Sequence, residues 1–142
     1  MKKIIVLFFV IASVPAFASD SLSAKVIQKF KVDFPQAENV RWFDNDNNTE
    51  VYYTLSDINC HIWFNAKGEL VKTLRYYSEK DLSPYIKNLI QKEFPGKTIF
   101  GVTELSKASG LTYHITLEDE KSWTMVTSDA AGEMAATGET IK

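Results

Sequence analysis

The chain has 142 residues and a formal net charge of −2, with 24% of its residues charged. That length supports one domain with a workable core, or two small units sharing one. The mild acidity argues against nucleic acid, which selects a basic face, and the single cysteine, Cys60, excludes an internal disulfide.

Lys2 and Lys3, the apolar run 4–12 and Ala16-Phe17-Ala18 follow the basic, apolar and small-residue order of a secretory signal peptide. The apolar run is well short of the roughly 20 residues that a membrane span needs. Cleavage after Ala18 is expected; removing 18 residues from 142 leaves 124, and the loss of two lysines takes the net charge from −2 to −4. Ser19, not a cysteine, stands directly after the cleavage point, which argues against a lipid anchor. A periplasmic or secreted protein is expected, without a membrane span in the mature chain.

After the polar residues 19–23, with Ser21 or Ser23 as N-cap, Val26, Phe30 and Phe34 recur every fourth position with Ile27 beside them. This is one apolar stripe on a short helix. Pro35 disfavours helical geometry at Phe34, so the helix should end there. Four strands follow by composition: 40–43, 51–55, 60–64 and 70–77. They are separated by the polar turn 44–48, by Ser56-Asp57 and by the turn 65–68. Such short spacing with polar turns predicts antiparallel hairpins. Residues 78–83 read as a polar connector. Ser83-Pro84 then opens a second helix, because proline suits the first helical position, and Ile86, Leu89, Ile90 and Phe94 form its stripe. Four further strands are expected at 98–103, 112–117, 122–127 and 133–141.

The second half repeats the first. Phe34-Pro35 matches Phe94-Pro95, Tyr53-Thr54-Leu55 matches Ile115-Thr116-Leu117, and Gly68-Glu69-Leu70 matches Gly132-Glu133-Met134. The offset drifts only from 60 to 64 residues, as a duplicated supersecondary unit with small loop changes would. The organisation expected is a signal peptide at 1–18, a first repeat at 19–80 and a second at 81–142. The fold class is α+β: two tandem α-β4 units with both helices packed on one face of an antiparallel sheet, leaving the other face open.

On these residues the chain resembles the PepSY-like and β-lactamase-inhibitor-protein-like exported bacterial proteins. The tandem order of signal peptide, helix ending in Phe-Pro, aromatic strands and Gly-Glu-Leu hairpin covers essentially the whole mature chain. The resemblance implies an open concave sheet that grips a partner enzyme through aromatic side chains, or a module that restrains peptidases. The chain departs from the inhibitor proteins in lacking their disulfide cysteines, which argues against a β-lactamase as its target.

Strand alternation identifies the candidate binding residues. If Val51, Tyr53 and Leu55 face the helices, Tyr52 faces away; if Ile62 and Phe64 face in, His61 and Trp63 face out. Trp123 and Met125 align with these in the second half, and His114 aligns with Tyr52. Tyr52, Trp63 and Trp123, with His114, are expected to form an aromatic strip, a side-chain chemistry that dominates binding hot spots. A register shifted by one residue would instead bury them.

Competing chemistries are weaker. Asp44-x-Asp46-x-Asn48 imitates the start of a calcium loop, but Thr49 and Leu55 stand where that loop needs its glycine and its bidentate glutamate. Cys60 and His61 are adjacent on a strand and so point to opposite faces, which disfavours a thiol-imidazole pair. Two histidines and one cysteine lack zinc-ligand spacing, and no phosphate loop or nucleophile elbow is present. No catalytic residue, metal or cofactor is expected. The expected partner is a protein or peptide, docked on the open face by a non-enzymatic module that inhibits or regulates a hydrolase. The alternatives are a small-molecule or cell-envelope ligand on the same face or in the cleft between repeats, and self-association of the chain through its aromatics.

Overall fold

Phe34 and Phe94 each end a helix in the same way. In the computed structural model, which describes residues 24–45 and 48–142, the Phe34 amide donates to the Phe30 carbonyl at 2.8 Å and the Phe94 amide to the Ile90 carbonyl at 2.9 Å. The proline that follows each phenylalanine has no N–H to continue the ladder. The helices are α1 (Ala24–Asp33) and α2 (Pro84–Glu93). Pro84 occupies the first turn of α2, although the Ser83 side chain makes no capping bond. The expected signal peptide, its cleavage point and the N-cap serines Ser21 and Ser23 lie outside the described residues, as do Asp46 and Asn47 of the first turn.

Four strands follow each helix. They are β1 (Glu38–Asn45), β2 (Asn48–Leu55), β3 (Ile58–Asn65) and β4 (Leu70–Tyr77), then β5 (Thr98–Lys107), β6 (Gly110–Glu118), β7 (Ser122–Asp129) and β8 (Met134–Ile141). All eight form one antiparallel sheet in sequence order. The fold is the expected α+β arrangement of two α-β4 units. β5 and β6 run several residues beyond the spans expected for them, because pairing with β4 and with each other carries the ladder through Ser106 and Leu111. Residues 78–83 are not merely a polar connector either: they contain a 3-10 turn (Glu79–Asp81), and Leu82 behind it is buried in the core.

The duplication extends to hydrogen bonds. Asn65 Oδ1 accepts from the amides of Lys67 and Glu69 at 2.9 and 3.0 Å, and Asp129 Oδ1 accepts from Ala131 and Glu133 at 2.9 and 2.9 Å. In both turns a glycine, Gly68 or Gly132, takes a positive φ. The β2–β3 turn instead uses Ser56 and Asp57, both with positive φ, the requirement of a two-residue turn whose twist matches its strands.

The core lies between the sheet and the two helices. Val26 and Phe30 of α1 and Ile86 and Ile90 of α2 are buried against Val51, Ile62, Phe64, Ile115, Leu117 and Val126. Each such side chain contributes about 1.5–3 kcal/mol through its removal from water. Phe30 meets Trp42 and Tyr53 edge-on, at 5.2 Å between ring centroids in both cases, which seats α1 over the first strands. Tyr85 donates to the Ala131 carbonyl at 3.0 Å, which ties α2 to the β7–β8 turn. No helix among the described residues is long and apolar enough to cross a membrane.

Candidate functional site

Pairing register decides which side chains share the helix-free face. Val51 opposes Ile62, and Tyr53 opposes Cys60; these four are buried under the helices. Tyr52 therefore faces away from the helices, opposite His61, and Trp63 lies two residues further along β3, opposite Glu50. On β1 the same alternation packs the partly buried Trp42 against α1 and turns Arg41 and Phe43 outward, since Arg41 opposes Tyr52.

These outward side chains form a continuous ladder across three strands. Phe43 meets Tyr52 edge-on with centroids 5.3 Å apart. Tyr52 stacks on His61 at 3.6 Å, and His61 lies 3.4 Å from Trp63. Lys72 of β4 closes the far end, its ammonium 3.8 Å from the Trp63 ring centre. Sequence alternation placed Tyr52, His61 and Trp63 on this face. It did not foresee that His61, only 5% exposed, would be enclosed between the other two rings.

Enclosure sets the charge state of His61. Loss of water pushes its pKa below the ordinary histidine value, and Glu50 beside it offsets only part of that shift while Lys72 adds to it. The neutral ring has one N–H. Glu50 Oε2 lies 3.0 Å from Nε2, and an ionised carboxylate only accepts, so Nε2 carries the proton and donates. Cys60, on the opposite face, is 3% exposed. Burial raises its thiol pKa, which keeps it a protonated packing group.

The second half carries a separate cluster. Trp123 of β7 packs edge-on against Phe100, at 4.7 Å between centroids, with Lys142 4.4 Å from the Trp123 ring centre. Met125 is exposed on the same face. His114 is exposed and lies between Thr103 and Thr127 in the ladder, away from both clusters. The single strip expected from Tyr52, Trp63, Trp123 and His114 is thus two patches. Trp63 and Trp123 sit four strands apart, about 19 Å at the usual strand spacing, and at opposite ends of their strands. Alternation tells which face a residue occupies, but position along the strand depends on pairings with distant segments.

Several residues of this face were not picked out by sequence. Arg41 and Phe43 follow from the alternation that packs Trp42 against α1, so their signal was present. Phe100 projects at a β-bulge between Ile99 and Gly101, and nothing local announces it. Asp44, first residue of the apparent calcium loop, accepts from Thr49 Oγ1 at 2.7 Å, an ordinary turn contact. No group of three His, Cys, Asp or Glu side chains converges among the described residues.

Several solved structures share this architecture. A BLIP-like protein from Bacteroides fragilis superposes with a TM-score of 0.61 at 15% identity, covering 83% of this chain and 85% of its own. A DUF2874 family protein from Bacteroides ovatus gives 0.63 at 18%, covering 87% and 89%. A protein from Bacteroides eggerthii, proposed to be periplasmic, gives 0.62 at 13%, covering 85% and 89%. At such identities the likeness is one of fold. No family model and no curated protein sequence matches the chain.

Proposed function

We propose that the chain is an exported, non-enzymatic binding module that docks a protein or peptide on its helix-free sheet face. The regulatory role implied by its resemblance to inhibitor proteins is restraint of a hydrolase. The observation that carries this reading is the ladder Phe43–Tyr52–His61–Trp63, four rings in contact on a face that neither helix covers. Large rings contribute contact area at low entropic cost, and a pre-stacked set loses little further freedom on binding. The signal-like residues ending at Ala18 support export, and the periplasmic description of a structural neighbour agrees with it.

The test is affinity capture from a periplasmic extract of the source organism. The bait is the tagged mature chain, run beside a Tyr52→Ala, Trp63→Ala variant whose fold is checked by circular dichroism. A partner retained by the parent chain and lost by the variant is expected. Equal capture by both removes the ladder from the binding site. A Phe100→Ala, Trp123→Ala variant reports separately on the second cluster.

A further inference from the structure

Three rings of the ladder, Tyr52, His61 and Trp63, have their faces turned to one another, whereas Phe43 meets Tyr52 edge-on. His61 lies between Tyr52 and Trp63, and Lys72 covers the far side of Trp63. Arg41 approaches the Tyr52 ring to 6.0 Å. Rings engaged in this way present their edges outward, and the edge is the positive end of the aromatic quadrupole. A sugar or flat ligand that needs a free ring face finds little on these three rings. The depression bounded by Arg41, Phe43, Glu50 and Tyr52 measures about 290 Å³, at the lower edge of the range usual for small-molecule pockets and of a size to take one side chain.

The formal charges around these edges have the same sign. Lys72 stands directly opposite Lys107 on the neighbouring strand, so the two ammonium groups share the outer face. Like charges placed opposite one another destabilise a sheet. Among the described residues, Arg41, Lys72 and Lys107 enter no ion pair with a carboxylate. Glu50, the acid within the ladder, is turned to His61. A chain of net charge −2 therefore gathers three cations around its exposed aromatic edges, with the Glu50 carboxylate beside them.

We infer that the partner contributes an acidic polypeptide segment, one carboxylate lying between Lys72 and Lys107 and another at Arg41. This rests on the docking face proposed above and names the chemistry of its occupant. Arg41 on β1 and Lys72 on β4 are three strand spacings apart and two residues out of row along the strands, since Arg41 lies in the row of His61 and Lys72 in that of Trp63; the separation is about 16 Å, which an extended segment spans in about five residues. Side chains an even number of residues apart in an extended segment point the same way, so the segment carries its two acids at i and i+4 or at i and i+6.

The experiment is selection of a random peptide display library on the immobilised mature chain, with parallel selections on two variants. One is Tyr52→Ala, Trp63→Ala; the other is Arg41→Gln, Lys72→Gln, Lys107→Gln, which alters side chains at the surface and leaves the core intact. The parent chain should enrich sequences with paired Asp or Glu at one of these two spacings. The charge variant should bind a synthesised winner about tenfold more weakly, as expected for losing three partly exposed charges. Neutral or basic winners that depend on Tyr52 and Trp63 overturn the acidic segment and leave the docking face standing. Winners indifferent to the Tyr52 and Trp63 substitutions, or no enrichment at all, overturn both.

Discussion

His61 illustrates how a binding face can store a pH response. Its folded-state pKa is lowered, chiefly by burial, so the unfolded chain binds a proton more readily than the folded one. Stability associated with this histidine is complete above the ordinary value of about 6.5 and declines as pH falls through the interval below it. Urea unfolding at pH 7.5 and pH 5.5 should show a lower midpoint at the acid end, with His61→Gln losing part of that difference; an unchanged difference means other groups cause it. Protonation also places a cation next to Lys72 inside the ladder, so the face should loosen in the same interval. Cys60 yields a second residue-scale prediction. With its thiol raised by burial and 3% exposed, it should resist iodoacetamide in the native chain and react in urea, as read by mass spectrometry. Rapid native labelling would show that the thiol opens to solvent.

Among the elements, the two Gly-Glu hairpins make a controlled comparison. Gly68 and Gly132 share the turn and the positive φ, +78° and +90°, so an alanine at either meets the same backbone penalty of about 1–2 kcal/mol. They differ in what lies above them. A Cβ at Gly68 would approach Val26 Cγ2 at 3.1 Å, whereas one at Gly132 would run into Leu89 Cδ1 and also meet Tyr85. Gly132→Ala should therefore destabilise more than Gly68→Ala, by pushing α2 from its seat; equal costs in denaturant titrations would show that α2 yields freely. The same hairpins show what local sequence can reveal. Helix ends, turns and sheet faces depend on Phe-Pro, on glycine and on alternation, all of which act within a few residues. The β-bulges at Phe100 and Thr137, the extra length of β5 and the separation of Trp63 from Trp123 depend on pairing between segments far apart in sequence. Sequence places Leu82 in a polar connector because its neighbours are polar, yet the 3-10 turn carries that one side chain into the core. Alternation gives the face of His61 but not its burial, since the rings enclosing it come from two different strands.

At the scale of the whole molecule, the question is whether two duplicated halves behave as one folding unit. β4 and β5 join them by a continuous antiparallel ladder from Lys72–Lys107 to Tyr77–Val102. On the helix side of that seam Arg75 Nη1 donates to Glu104 Oε1 at 2.9 Å, and the Tyr77 hydroxyl donates to Glu104 Oε2 at 2.6 Å. Glu104 is only 13% exposed at its side chain, while Arg75 is 37% exposed, so water screens part of the pair. An isolated α-β4 unit would expose the edge of its seam strand and leave this cluster half-made. The halves should therefore unfold together, with aromatic fluorescence and far-ultraviolet circular dichroism giving coincident transitions. Glu104→Gln keeps the shape but removes the charge that holds Arg75 and weakens the acceptor for Tyr77. It should cost about 1 kcal/mol, as charge-assisted bonds of a partly exposed pair do. If that cost falls on both probes equally, the seam is part of one cooperative core. If the two transitions separate instead, each half carries its own stability, and the shared sheet is a docking of two domains that the chain happens to link.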